Sequence, residues 1–155
     1  MSEHRIAGGA GRVPIRPGLF EVPKGPGAEP YLIGTRCLDC GRSFFPRRAR
    51  CAVCFSRSVV DGPLSRRGRI ESATAVRQAP VEYRGDVPYA LGLVRLPEGV
   101  LVHAPLTGKD PGGWQLEDEV ELVIEPIHTQ ADGTEILAYK FRALAPALSG
   151  REDIR

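Results

Sequence analysis

The sequence predicts a mainly β chain in two parts, a small four-cysteine ribbon followed by a five-stranded barrel. Three observations predict it. All four cysteines of the 155-residue chain fall between positions 37 and 54. From position 66 onward, apolar residues recur with a period of two between turn signals. Composition agrees, because 18 glycines and 14 prolines suit short strands and turns more than long helices.

The elements follow in order. Residues 1–30 carry breakers at Gly8, Gly9, Gly11, Pro14, Pro17, Gly18, Pro23, Gly25, Pro26, Gly27 and Pro30. That density excludes a helix or strand of useful length, so 1–30 is an extended leader. Ile15, Leu19, Phe20 and Val22 are its residues able to dock. Tyr31–Arg36 reads as a strand leading into Cys37-Leu-Asp-Cys40-Gly41, and Arg42–Pro46 lies before Cys51-Ala-Val-Cys54. Strand, knuckle, strand, knuckle is the order of a rubredoxin-like zinc ribbon, placed at 31–62.

Two C-x-x-C knuckles this close offer four thiolates to one tetrahedral ion. Zinc is the first choice, with sulfurs at roughly 2.3 Å and no open position; iron uses similar knuckles, and spacing alone leaves it open. The chain opens without a signal peptide and holds no long apolar run, so a reducing cytoplasm is expected and disulfides are disfavoured. Gly41 suits the left-handed turn after the first knuckle. Phe55 holds the matching place after the second.

Beyond an expected turn at Asp61-Gly-Pro63, five strands occupy 63–144. The first runs over 66–79, alternating at Ile70, Ser72, Thr74 and Val76. Val87–Leu96 and Val100–Leu106 form a hairpin around Pro97-Glu98-Gly99, and Glu119–Glu125 and Thr134–Arg142 complete the set. Period-two patterns with short turns indicate antiparallel pairing. A long first strand with a central hairpin suits a small OB-type barrel. Two glycines and a proline exclude a helix in 107–118. Residues 145–155 form a C-terminal tail.

Charge divides the chain. Residues 36–69 hold nine arginines against Asp39 and Asp61, whereas 70–155 carry eight basic and fourteen acidic groups. Arginines of this density either offset a negative Zn(Cys)₄ centre or face an anion or a partner. Catalysis finds little support: the cysteines are committed to metal, and His4, His103 and His128 have no nucleophile nearby in sequence. Gly8, Gly9 and Gly11 precede no strand–helix unit and so form no phosphate loop. Single-stranded nucleic acid needs stacking aromatics on a basic barrel face, and here the second and third strands offer Tyr89 on an acidic half.

The residues resemble a known family. Gly34-Thr-Arg-Cys37-Leu-Asp-Cys40-Gly41, Phe45-Pro46-Arg47-Arg48, Cys51 and Cys54 are similar to the zinc-ribbon/OB-fold family of acyl-CoA-associated proteins. So are Gly68-Arg-Ile-Glu-Ser72, Pro88-Tyr-Ala-Leu-Gly-Leu93, Leu96-Pro-Glu-Gly99 and Leu106-Thr-Gly108, over about 31–143 in all. The resemblance implies a small, mostly non-catalytic accessory subunit paired with a thiolase-fold enzyme, or less often a hydratase or aldolase acting on acyl-CoA, helping to hold a CoA ester while the partner supplies nucleophile and base. Within the family, the zinc-finger subunit of an aromatic 3-oxoacyl-CoA thiolase is the nearest type. The metal ligands carry over as Cys37, Cys40, Cys51 and Cys54. CoA contacts are assigned on chemistry alone, Arg66, Arg67, Arg77 or Arg84 to phosphate and Tyr89, Leu91 or Trp114 to the acyl or pantetheine path. A single-stranded nucleic-acid binder is the alternative. Two departures stand out: the leader lacks a Phe-Trp helical entry, and Phe55 replaces a common knuckle glycine.

Overall fold

A computed structural model describes residues 11–22 and 24–144. The expected tail at 145–155 and the first ten residues of the leader lie outside them. Ten strands form two sheets: β1 (Arg12–Pro14), β2 (Phe20–Glu21), β3 (Tyr31–Cys37), β4 (Ser43–Phe44), β5 (Val59–Pro63), β6 (Arg67–Val76), β7 (Tyr89–Arg95), β8 (Leu101–Thr107), β9 (Glu119–Thr129) and β10 (Glu135–Ala143). No helix is present among the described residues, and none is long and apolar enough to cross a membrane.

In the ribbon β3 is the central strand. One edge pairs with β5 from Ile33 to Cys37, and the other with β2 and then β4. This corrects the reading of Asp61-Gly-Pro63 as a turn. Those residues continue β5, because Asp61 sits opposite Thr35 and accepts its hydroxyl. Pro63 is tolerated at the strand's last position, where its missing N–H breaks little of the ladder.

The barrel closes in the order β6-β7-β8-β10-β9 and back to β6. Each strand of β7 and β8 alternates cleanly, and the inward pairs are Ala90↔Leu106, Gly92↔Ala104 and Val94↔Val102. Ile70, Val94, Leu96, Val102, Val120, Leu122 and Phe141 are fully buried, and the same apolar cluster continues into the ribbon base through Phe20, Leu32 and Leu64. Ribbon and barrel therefore share one core.

Three boundaries differ from expectation. In β6 a bulge between Ile70 and Ser72 shifts the pleat by one, so Ala73 faces Gly92 while Ser72 and Thr74 turn outward. Strand β9 runs past Pro126 to Thr129, with a bulge at Ile127, left unpaired where the register shifts opposite Ile136/Leu137 of β10, next to the proline. The leader is not strandless. Its β1 lies parallel to the start of β10 and its β2 pairs with β3, so it ties barrel to ribbon. Leu19 and Phe20 dock on the core as anticipated, while Ile15 and Val22 stay exposed. The segment 107–118 is turns and bends, as its glycines and proline require.

Candidate functional site

The two knuckles converge because β3 and β5 align their bases. Cys37 ends β3, its N–H donates to the Arg42 carbonyl at 2.8 Å, and the Gly41 N–H returns to the Cys37 carbonyl at 3.0 Å. Gly41 takes φ +77°, the left-handed turn expected of it. The second knuckle closes with the Cys51 N–H donating to the Ser56 carbonyl at 2.9 Å. Phe55 takes the left-handed φ of +62° there without being glycine. The Leu38 N–H donates to the Ser58 carbonyl at 2.8 Å and joins the two loops.

The four Sγ atoms lie within 4.8 Å of one another, with Cys37–Cys54 at 3.6 Å and Cys40–Cys51 at 3.5 Å. The edges of a tetrahedron with metal–sulfur bonds of roughly 2.3 Å are about 3.8 Å, so the donor set fits a closed Zn(Cys)₄ centre. Backbone amides already point at the sulfurs. Cys40 N–H donates to Cys37 Sγ at 3.5 Å, and Val53 and Cys54 N–H both donate to Cys51 Sγ at 3.4 Å. The Cys54 amide foremost, with Val53, lowers the Cys51 thiol to about 6. Cys54 goes the other way, to about 12: the Ser56 amide pulls it down, but burial and the three neighbouring sulfurs outweigh that. Cys40 also rises, the Arg42 amide being outweighed by burial and neighbouring thiols. Four thiolates this close repel, so only a bound cation makes all four anionic together.

One hydrogen-bonded network supports the ribbon from behind. Thr35, the single buried polar residue among the described core, donates its hydroxyl to Asp61 Oδ1 at 2.7 Å and accepts the Arg48 N–H at 3.0 Å. Arg47 adds 3.1 Å bonds to Asp61 Oδ2 and to the Gly18 carbonyl in the leader. Thr35 first, then Arg47, hold the Asp61 carboxyl below the ordinary aspartate range.

A second feature is a groove of about 970 Å³ between the leader and the barrel. It exists because β10 pairs with β8 only at Phe141 and Arg142 and with β1 only at its start, leaving the wall between them open. Ile15, Leu19, Pro105, Ile136 and Tyr139 line it with apolar surface, and Arg16, Arg84, Lys109 and Lys140 outnumber Glu82 and Asp86. The Tyr139 hydroxyl spans part of the gap, donating to the His103 carbonyl at 3.4 Å. Tyr83 stacks on Tyr89 at 4.5 Å and 24° on one rim.

Of the seven residues assigned to CoA, the fold brings Arg84 and Tyr89 to this groove. Arg66 is committed elsewhere, bonding Glu29, Glu121 and the carbonyls of Pro30 and Leu122. Arg67 lies beside it, 3.7 Å from Glu121. Arg77 is exposed just past β6, and Leu91 lines a shallow depression on the outer face of β6–β8. Trp114 packs on the core beneath Lys109, which lies 5.4 Å above its ring, and its Nε1 is buried without a partner. Arg16, Lys109 and Lys140 were not assigned from the sequence. They come from the leader, the 107–118 segment and β10, and no local spacing links them.

Comparison with known proteins places these features in a family. A family model described as ChsH2, rubredoxin-like zinc ribbon domain, matches residues 25–60, and one described as ChsH2, C-terminal OB-fold domain, matches 62–125. The chain is 37% identical over 132 residues to the benzoylsuccinyl-CoA thiolase subunit BbsA of Thauera aromatica, covering 84% of this chain and 88% of that protein. The BbsA of Geobacter metallireducens is also 37% identical, covering 84% and 86%. A DUF35 domain-containing scaffold protein of Pyrococcus furiosus is 37% identical over 73% of this chain and 83% of its own length. Among solved structures, the Ltp2-ChsH2(DUF35) aldolase superposes with a TM-score of 0.60 at 22% identity, over 73% of this chain and 84% of that one, which shows the shared fold.

Proposed function

This chain belongs to the ChsH2-type (DUF35) zinc-ribbon/OB-fold family, and from that premise we propose that it is an accessory subunit of an acyl-CoA-processing complex with a thiolase-fold partner. The observation that carries the reading is the 37% identity to a thiolase subunit over 84% of the chain. In this reading Cys37, Cys40, Cys51 and Cys54 hold one structural zinc in a reducing cytoplasm. The ion supplies rigidity and no open coordination position. The division into ribbon at 31–62 and barrel at 63–144, with a leader before and a tail after, is part of the proposal.

The groove supports a CoA-ester role. Its apolar floor suits an acyl or pantetheine arm, and among its cations Arg16 and Arg84 suit phosphate, while Lys109 and Lys140 are paired with Asp118 and Glu125. The partner supplies nucleophile and base, since the groove residues include His128 but no cysteine or serine to act with it. Nucleic acid is the poorer occupant: the Tyr89 ring that bases would stack on is already covered by Tyr83.

The test is co-expression with a thiolase-fold polypeptide from the same genome, the product of the neighbouring gene being the first to try. A stable hetero-oligomer is expected, with thiolysis by the complex and none by this chain alone. Calorimetry with CoA should give binding by the complex that weakens about tenfold in Arg84→Ala. Full thiolysis by the isolated chain sinks the subunit reading; unchanged CoA affinity in Arg84→Ala removes the groove from it.

A further inference from the structure

The knuckle tip carries features that neither metal binding nor the groove uses. Leu38, Val53 and Phe55 are 63%, 53% and 69% exposed. All three are adjacent in sequence to Cys37 or Cys54, whose sulfurs lie 3.6 Å apart, so the apolar residues share one end of the ribbon. Phe55 is the unusual one. A bulky side chain at φ +62° meets steric resistance that glycine avoids, and an exposed ring buries nothing in return. The isolated fold is better served by glycine there, which points to a role in contact.

Charge gives the second observation. Arg66, Arg67, Arg69, Arg95 and Arg142 on the barrel strands each meet a carboxylate, whereas Arg77 and Arg84 of the β6–β7 loop meet none among the described residues. In the ribbon Arg47 meets Asp61. Arg36, Arg42, Arg48, Arg50 and Arg57 are exposed and meet none among the described residues. The one acid beside them, Asp39, accepts the Ser56 hydroxyl. Arg48 lies over the Phe44 ring at 5.8 Å, and the other four arginines, which meet no carboxylate among the described residues, still exceed the two negative charges of a Zn(Cys)₄ centre.

We propose that this tip is a protein-docking surface in which Phe55, flanked by Leu38 and Val53, enters an apolar pocket whose rim is acidic and pairs the arginines. An aromatic anchor with arginines near it in the chain, Arg50 before the second knuckle and Arg57 two residues after Phe55, is the composition that interfaces concentrate. Metal-clipped loops present it pre-ordered, so little entropy is lost on docking. Aliphatic Leu38 and Val53 beside the ring fit a protein pocket better than stacked bases. The inference rests on the subunit reading above and adds the surface and the chemistry of its partner.

The experiment measures affinity between the zinc-loaded chain and the thiolase-fold polypeptide with which it co-purifies on co-expression, for wild type, Phe55→Gly, the double variant Arg50→Glu/Arg57→Glu, and Leu101→Ser on the outer barrel face as control. Phe55→Gly should bind at least tenfold more weakly while its zinc content is unchanged and its thermal midpoint is equal or higher. That combination separates contact from folding. The double variant should bind at least tenfold more weakly and lose most of its salt dependence, and Leu101→Ser should match wild type. Affinities within twofold of wild type for both tip variants overturn the inference and leave the subunit reading intact. No complex with wild type removes both. Binding of a single-stranded oligonucleotide that the double variant loses and Phe55→Gly keeps also overturns it, by making the tip a nucleic-acid surface.

Discussion

Replacing Thr35 by valine isolates the network behind the metal centre. Valine matches threonine in shape, so no cavity opens, and only the hydroxyl is lost. That hydroxyl makes two bonds, donating to Asp61 at 2.7 Å and accepting from the Arg48 amide at 3.0 Å. Thr35 is 1% exposed, so water cannot stand in for it. A buried N–H left unpaired costs about 1–3 kcal/mol. The Asp61 side chain is 45% exposed and still paired with Arg47, so its loss adds little. For a chain of this length 1 kcal/mol shifts the melting point by roughly 2–4 °C. Thr35→Val should therefore melt about 3–9 °C below wild type, with one zinc per chain retained, and Thr35→Ser should recover most of the difference. The assay is thermal unfolding by circular dichroism at neutral pH with zinc content measured in parallel. Equal melting of Thr35→Val and wild type would refute the claim that this hydroxyl supports the ribbon.

Two other outcomes follow from the same coordinates. Metal analysis should find about one zinc per chain, and Cys37→Ser should lose it together with amide protection in β3–β5, because so small a ribbon draws much of its stability from the metal; hydrogen exchange reads this directly. Gly92→Ala should destabilise by about 1–3 kcal/mol in denaturant unfolding, the usual cost of overpacking. Its new Cβ would lie 2.7 Å from Leu106 Cδ1 and 3.0 Å from the Ser72 backbone oxygen, whereas Gly62→Ala meets nothing within 4 Å and serves as control.

Much of the fold was legible because its signals are local. Two C-x-x-C pairs define the ribbon whatever surrounds them, and the period-two runs at β7, β8 and β10 place those strands within about two residues. The misses are all tertiary. β1 and β2 are three and two residues long amid prolines and glycines, and they are strands only because β10 and β3 offer free edges. Asp61-Gly-Pro63 has turn chemistry, but Thr35 across the ladder holds it straight. The β6 bulge changes which residues face inward without altering the composition of the strand. The groove was less legible still, since its cations come from four separated segments. Arg84 and Tyr89, assigned on chemistry alone, lie beside the groove because one sits in the β6–β7 loop and the other begins β7. The carboxylates that hold Arg66, by contrast, lie 37 positions before it and 55 after it, beyond any local signal.

The parallel pairing of β1 with β10 also sets an order of assembly. Arg12 reaches Glu135 across 123 positions of chain, and closing a flexible loop of that length costs on the order of 4 kcal/mol. Three ladder pairs cannot offset that on their own. Once β6 to β10 have rolled up and the ribbon has fixed β2 through β3, the path from Glu21 back to Arg12 is nine residues, and the cost falls sharply. β1 is thus held back until β10, far later in the chain, is in place. Its seating reports that both modules have finished, and it brings the residues just after it, Ile15 and Arg16, to the groove they line.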